Sequence, residues 1–441
     1  MARYTPIPKE KDSPFAFFIL YLYTISVLIR PHEMFQVSIE WVFIKVLAIL
    51  CFLTVLVSHR PLKVEPQHWM LFSLLPIIAL SGFLNGSGML GVGEAQHLIA
   101  IAIIPLFLFS TCVTSIKRQH WLMAICIIAA LVMVHNGHVQ QTADLRMGWA
   151  LDTQAIKAND REIDVFRITY LGFFNDPNDI GMFLVMNIPF IVYFMHKGGF
   201  FVKVLMLLAL AGMIYGISMT GSRGTQLGAV SLIGVYYLVV NAGVRLLVIS
   251  AISAPIVAVI LTTLQSNIDE SANGRLEAWY AGVLMLLSHP LLGVGKGNFV
   301  EEHMRTAHNS YILIAAELGV PGYSLWGGAL LFTVLTGYLF ISNTKTAEPE
   351  ELSEELKAEL AVNKTLFFSM MGFMITAFFL SRSYTVLLFI FIGMSLASHI
   401  RLRKIAPELA KKCFSPAFIM KSIMFAWVII IAVYGALKVG L

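Results

Sequence analysis

Residues 199–219, GFFVKVLMLLALAGMIYGISM, form an apolar run that contains one charged side chain, Lys203. An α-helix of about 17–25 such residues matches the hydrocarbon core of a bilayer. Similar runs recur from Pro14 to the end of the 441-residue chain, in which 58% of residues are hydrophobic and 13% are charged. Soluble domains have about 45–50% apolar and 25% charged residues. The composition excludes a cytosolic enzyme, a disordered chain and a secreted disulfide scaffold, and it predicts an all-α polytopic transmembrane helical bundle.

The predicted bundle has about 12–13 spans and a large outer loop that contains short helices. The spans cover residues 14–29, 38–58, 67–84, 97–115, 120–135, 179–196, 199–219, 224–240, 244–264, 320–342, 363–381, 384–400 and 419–438. Lys and Arg collect in alternate short loops, and such loops stay on the cytoplasmic side. The net charge of +5 therefore indicates topology rather than a nucleic-acid partner. The alternation predicts that two long polar segments, roughly 136–169 and 265–308, lie on the outer side.

The outer face is where we expect chemistry. Ion-coupled transporters usually carry ionisable side chains at mid-membrane depth, and the predicted spans contain few of them. On the inner side, residues 347–364 read as an exposed acidic amphipathic helix, for which a solvated connector is the simplest explanation.

The most informative outer segment begins with an apolar-rich stretch from Arg275 to Ser288, RLEAWYAGVLMLLS, which Pro290 closes. This pattern predicts an interfacial or re-entrant helix. The sequence LLGVGKGNF at 291–299 follows as a glycine-spaced turn. Such a turn can present backbone N–H groups to an anion, although the spacing is not that of a P-loop. A phosphate-contacting turn and a plain return loop therefore both stay open.

His308 precedes a short predicted helix that Gly319 and Pro321 end. Asn309 or Ser310 is the expected N-cap. The positive end of the helix dipole disfavours a charged imidazole there, and a neutral histidine near pH 7 is what a general base requires. Taken by itself, such a histidine is more often an ordinary loop residue.

Two arginines lie at the predicted outer face, Arg223 in the turn Met219–Gly224 and Arg275 at the start of the loop helix. Arginine binds phosphate through two parallel hydrogen bonds and keeps its charge. Each could instead extend toward lipid headgroups.

Four motifs occur in a fixed order: G-x-F-x-x-P-N-x-x-G at 172–181, G-S-R-G at 221–224, H-P-L-L-G-x-G at 289–295 and H-N-S-Y-x-x-x-x-x-E-L-G at 308–319. In this order they resemble the O-antigen ligase and polysaccharide polymerase superfamily. The sequence R-P-H-E at 30–33 also resembles the O-glycosylation ligases associated with exosortase gene clusters.

The resemblance implies a multi-pass glycosyltransferase of the bacterial inner membrane with a periplasmic active site. Such an enzyme transfers a glycan from undecaprenyl diphosphate to a hydroxyl of a lipid A core, a growing polysaccharide or a protein Ser or Thr. The resemblance assigns the role of base to His308 and diphosphate binding to Arg223 and Arg275. Weaker candidates for substrate binding are Arg167, Asn178, Gly295, Lys296, Asn298, Arg305, Asn309 and Arg382.

We expect no metal and no cofactor. Many metal-dependent glycosyltransferases use an Asp-x-Asp site, and this pattern does not occur in the sequence. Arginines can stabilise a diphosphate leaving group in place of a metal, and attack by a hydroxyl activated through His308 would invert the anomeric centre.

Two alternatives remain at this stage. A polymerase of the same superfamily shares the chemistry and uses a lipid-linked glycan as acceptor, whereas a lipid-linked glycan transporter belongs to another functional class. For an enzyme of this superfamily we expect the following organisation of the chain. It comprises N-terminal transmembrane helices at 1–135, a periplasmic loop at 136–169, transmembrane helices with ligase motifs at 170–264, a periplasmic catalytic loop at 265–319 and C-terminal transmembrane helices at 320–441.

Overall fold

The computed structural model describes residues 12–34, 42–59, 62, 64–143, 148, 154–157, 164–241, 244–266, 270–344 and 352–440. Within these residues ten helices are long and apolar enough to cross a membrane, judged by length and composition. Three shorter apolar helices are Pro14–Leu28, Phe43–Ser58 and Val248–Leu264. Each of the thirteen predicted spans corresponds to one of these helices, so the all-α polytopic bundle is confirmed.

The described helices are α1 (Pro14–Leu28), α2 (Pro31–Met34), α3 (Phe43–Ser58), α4 (Pro66–Phe72), α5 (Leu74–Leu84), α6 (Met89–Leu98), α7 (Ile104–Cys112), α8 (Ile116–Thr142), α9 (Pro177–Lys197), α10 (Phe200–Met219), α11 (Arg223–Asn241), α12 (Val244–Ser266), α13 (Glu270–Ser288), α14 (Phe299–His303), α15 (Ser310–Thr344), α16 (Glu354–Ala377), α17 (Val386–Ile405), α18 (Pro407–Cys413) and α19 (Pro416–Gly440). A π-helical turn (Ile99–Ile103) joins α6 to α7, and a 3₁₀ turn (Gly172–Phe174) precedes α9. Strands β1 (Gln154–Lys157) and β2 (Asp164–Arg167) pair in an antiparallel hairpin, with Gln154 opposite Arg167.

Helices α9 and α17 run through the centre of the bundle, and every residue of α17 from Leu387 to Leu402 is buried. A helix of about 20 residues is about 30 Å long, so the two termini of each helix lie at opposite ends of the bundle. One end, which we call the site end, contains Asp176 and Arg382, which pair just before α9 and α17 begin. The opposite end contains Lys197 and Arg401, at the other termini of these helices.

Both long polar segments reach the site end. From the first, Arg167 donates to the Thr220 carbonyl at 2.6 Å. From the second, the hydroxyl of Thr306 donates to that of Ser381 at 2.7 Å, next to Arg382. The described parts of both segments therefore lie at the same end of the bundle, and the assignment of this end to the outer side stays a prediction.

The first of these segments differs from its prediction. Helix α8 continues to Thr142 rather than ending near residue 135, and the hairpin was not predicted. The extension is stable because Thr169 satisfies the polar side chains of the last turns. Asn136 donates to the Thr169 carbonyl at 3.0 Å, and Gln140 donates to its hydroxyl at 3.1 Å. Residues 144–147, 149–153 and 158–163 of this segment lie outside the described residues.

Helix α15 has the predicted break, because Gly319 has a φ of 63° and divides it into a short helix and a long one. The prediction for 347–364 is wrong in part. From Glu354 onward the residues belong to α16, and Glu359 is only 1% exposed because it pairs with Arg401. Residues 347–351 lie outside the described part of the chain.

Candidate active site

His308 lies in the loop between α14 and α15, at the start of the short helix that precedes Gly319. The side-chain oxygen of Asn309 accepts the N–H groups of Tyr311 at 3.0 Å and Ile312 at 3.1 Å. Asn309 is therefore the N-cap, which confirms the position of His308 at a helix N-terminus. His308 has a φ of 47°, and such sparsely populated backbone conformations cluster at functional sites.

The charges around His308 are predominantly positive. Burial lowers the pKa of the imidazole, and the guanidinium of Arg275 lowers it further. Arg382 and Arg305 act in the same direction, whereas the carboxylate of Asp176 opposes them. These effects favour the neutral imidazole, the state in which it can accept a proton.

Arg167 connects two of the sequence motifs. Its Nε donates to the carbonyl of Thr220 at 2.6 Å, and its Nη2 donates to the side-chain oxygen of Asn178 at 3.1 Å. Burial lowers the pKa of Arg167, although Asp176 opposes the shift. Among the described residues, the hydrogen-bond acceptors of this guanidinium are neutral oxygens, and Asp176 acts on its charge from a distance rather than through a hydrogen bond.

Arg223 is exposed and is the first residue of α11. Gly221 before it has a φ of 57°, which favours glycine in this tight turn. A Cβ at Gly224 would lie 2.9 Å from Cβ of Phe379, so the turn packs closely against the segment that joins α16 to α17. This packing places the arginine turn beside the stretch that leads to Arg382.

Arg382 pairs with two carboxylates at the start of α9. Its Nε donates to Asp179, and its Nη2 lies 3.3 Å from Oδ2 of Asp176. Burial opposes the charge of the guanidinium, but Asp179 and Asp176 outweigh this effect and raise the pKa of Arg382. Aspartates beside a proline at the start of an apolar run have the pattern of turn and cap residues. Asp176 is indeed the N-cap of α9, since it accepts the N–H of Asn178 at 2.8 Å.

The glycine-spaced turn uses its N–H groups within the protein. Gly297 donates to the carboxylate of Glu317 at 2.9 Å, and Gly295 donates to the carbonyl of the same residue at 3.0 Å. Asn298 donates its N–H to the Gly295 carbonyl at 3.1 Å and its side-chain amide to Ser87 at 3.0 Å. These contacts favour the return-loop alternative, and a contact with phosphate stays a prediction.

The contacts of Lys296 are also with other residues of the protein rather than with His308. It forms an ion pair with Glu94 and lies 4.6 Å above the ring of Tyr384, whose hydroxyl donates to Glu317 at 3.0 Å. These four side chains come from four separate segments, so no local pattern in the sequence links them. Lys296, Gly295 and Asn298 thus form a second cluster at the site end, whereas the candidates around Asp176 form the first.

The R-P-H-E motif meets the first ligase motif. Arg30 pairs with Glu33, and its guanidinium packs against Gly172, where the φ of +63° favours glycine. The hydroxyl of Tyr170 donates to the carbonyl of Ile29 at 2.6 Å. The N-terminal motif therefore belongs to the site end as well.

Comparison with known protein families gives a match over part of the chain. Residues 208–327 match the family model described as O-Antigen ligase. The match confirms the resemblance to the O-antigen ligase superfamily, and it contains Arg223, Arg275 and His308. No curated protein matches the chain. Among the described residues, no group of three or more His, Cys, Asp or Glu side chains could hold a metal ion.

Proposed function

We propose that this chain, a multi-pass membrane protein with an O-antigen ligase domain at residues 208–327, transfers a glycan from undecaprenyl diphosphate to an acceptor hydroxyl. The observation that carries the proposal is the surroundings of His308, which lies next to the N-cap of a helix and has Arg275 and Arg305 close enough to lower the pKa of its imidazole. His308 supplies a proton acceptor, and the cations supply a site for an anionic leaving group.

The reaction begins when His308 accepts the proton of the acceptor hydroxyl. The hydroxyl oxygen bonds to the anomeric carbon, the bond from that carbon to the diphosphate oxygen breaks, and its electron pair leaves with the diphosphate. Attack from the side opposite the leaving group inverts the anomeric centre. Arg223 and Arg275 bind the diphosphate and stabilise the charge that grows on it, which is the largest catalytic contribution in many enzymes.

Further arginines support the same anion. Arg167 is half-buried with neutral hydrogen-bond acceptors, and Arg305 is exposed beside Gly274. Both are suited to a negatively charged donor headgroup, because neither forms an ion pair with a carboxylate among the described residues. Arg167 and Arg305 therefore remain candidates for donor binding. Asn178 is a candidate beside Arg167, to which it is hydrogen-bonded, and Asn309 acts through the N-cap that holds His308.

The direct test combines the purified full-length protein with a lipid-linked glycan and separate acceptors. We expect an acceptor to gain the mass of the glycan while undecaprenyl diphosphate is released. Gain of mass on a lipid A core or on a protein Ser or Thr supports a ligase. Gain on a second lipid-linked glycan supports the polymerase of the same superfamily, and movement of intact donor across vesicles without any product contradicts both.

Metal independence is tested in the same assay. Because arginines take the place of a metal here, EDTA should leave the rate unchanged. Activity that disappears with EDTA and returns with magnesium or manganese would contradict this part of the proposal.

We also propose that the site end faces the periplasm of a bacterial inner membrane. In a background without the four buried native cysteines, Glu301→Cys at the site end should react with an impermeant thiol reagent in intact spheroplasts. Glu354→Cys, at the other terminus of the bundle, should react only after lysis, because both positions are exposed but on opposite sides. The reverse pattern would contradict the orientation.

A further inference from the structure

The turn Ser381–Arg382–Ser383, which we call the clamp turn, is tied to the residue that begins the His308 helix. The hydroxyl of Ser310 donates to the Leu380 carbonyl at 2.6 Å and accepts the N–H of Arg382 at 2.9 Å. The hydroxyl of Ser383 donates to the Ser310 carbonyl at 2.7 Å. Three hydrogen bonds therefore fix the backbone two residues after His308.

A fourth hydrogen bond fixes the chain before His308. The hydroxyl of Thr306 donates to the hydroxyl of Ser381 at 2.7 Å. The clamp turn thus holds both flanks of His308, whose own backbone has the positive φ that a free loop rarely adopts.

The side chain of Arg382 extends from the clamp turn to the start of α9, where it joins Asp179 and Asp176. The Asp179 side chain is only 2% exposed, and its Oδ2 has no hydrogen-bond partner among the described residues. A carboxylate removed from water requires a cation beside it. Asp179 therefore holds Arg382 firmly, and the charge of Arg382 is largely used within the protein.

We propose that Arg382 is a positioning residue that joins the start of α9 to the His308 loop, rather than a ligand of the donor diphosphate. The inference rests on the proposed function, in which His308 is the base. Through Ser310, the clamp turn sets where the imidazole stands relative to the acceptor hydroxyl. A misplacement of about 1 Å in a reacting group can cost about 10²-fold in rate.

The experiment compares Arg382→Gln with Arg403→Gln. Arg403 is a matched control, because it also pairs with a carboxylate, that of Glu65, but at the opposite end. Each variant is examined for kcat, for KM of the lipid-linked donor and for amide hydrogen exchange of residues 304–312. A milder variant, Ser381→Ala, removes only the hydrogen bond to Thr306 and keeps the assay informative if Arg382→Gln folds poorly.

We expect Arg382→Gln to lower kcat by about 10²-fold with an unchanged donor KM, and to speed amide exchange at 304–312. Ser381→Ala should change both quantities in the same direction by a smaller factor, and Arg403→Gln should change neither. A raised donor KM with unchanged exchange would overturn the inference, since Arg382 would then bind the diphosphate directly.

Failure of the proposed function gives a different result. If His308→Ala stays active, the function assigned to His308 is wrong, whatever the exchange experiment shows. If His308→Ala is inactive and Arg382→Gln changes neither amide exchange nor kcat, only the positioning role proposed for Arg382 is wrong.

Discussion

At the opposite end, the arginines whose side chains the structure describes pair with carboxylates, whereas the site end contains both paired arginines and arginines without a carboxylate partner among the described residues. At the opposite end, Arg401 binds Glu359 through two hydrogen bonds of 2.8 and 2.9 Å, and the two side chains are 7% and 1% exposed. At the site end, Arg167 donates to the neutral oxygens of Thr220 and Asn178. A guanidinium with a carboxylate in a two-pronged pair has its charge neutralised within the fold, whereas one held by neutral oxygens keeps its charge for a ligand.

Other charged residues at the two ends show the same contrast. Arg118 pairs with Asp12 and Arg403 pairs with Glu65 at the opposite end. Around His308, the cations that lower its pKa outnumber the single carboxylate that opposes them. The site end is therefore suited to an anion and the opposite end to stability, and each substitution below separates these two roles.

The largest effect is expected from Glu359→Ala, which leaves Arg401 buried without its carboxylate. Breaking one partner of a buried ion pair costs about 3–5 kcal/mol of stability. We expect a much lower unfolding temperature in detergent and an unchanged transfer rate per folded molecule. The double variant Glu359→Leu with Arg401→Met should recover most of the stability, because neither charge is then buried. A stable single variant would show that this pair does not hold the opposite end together.

The next largest effect is expected from Arg223→Lys. Lysine keeps the charge but loses the planar pair of donors, so the growing charge on the leaving diphosphate is less well stabilised. The loss should be about 2–4 kcal/mol of transition-state stabilisation, with an unchanged unfolding temperature. Arg403→Lys, the matched change at the opposite end, should leave transfer unaltered. Equal transfer rates for the wild-type protein and Arg223→Lys would contradict the catalytic role proposed for Arg223.

The smallest effect concerns the pH dependence of transfer. Because burial and the arginines lower the pKa of His308, the rate should hold down to pH values below the ordinary histidine pKa and fall as the imidazole is protonated. Arg305→Gln removes one of the cations that lower this pKa and should move the fall to higher pH. A shift to lower pH would mean that Arg305 does not act on His308.

The sequence predicts the features that depend on local pattern. Apolar length identifies the ten long apolar helices and the three shorter ones among the described residues, since the bilayer core sets the length of a span. The N-cap at Asn309 and the break at Gly319 also follow from neighbouring residues, through capping and backbone freedom.

Pairs that are distant in sequence could not be predicted in this way. Arg382 and Asp179 are 203 residues apart, and an aspartate beside proline at the start of an apolar run has the pattern of a simple cap. Glu359 lies in a strongly acidic stretch, and its burial depends on Arg401, 42 residues further on. The glycine turn is suited to an anion by its spacing alone, yet Glu317 provides the anion from within the protein.

The role of His308 as base is tested most directly by measuring donor binding and transfer in the same preparation of His308→Ala. The account predicts that donor affinity is kept, because the arginines are intact, while the transfer rate falls by about 10²–10⁴-fold. His303→Ala, changed at the end of α14 outside the H-N motif, should retain most of its activity. A His308→Ala protein that transfers at nearly the wild-type rate, together with an inactive His303→Ala, would contradict the account.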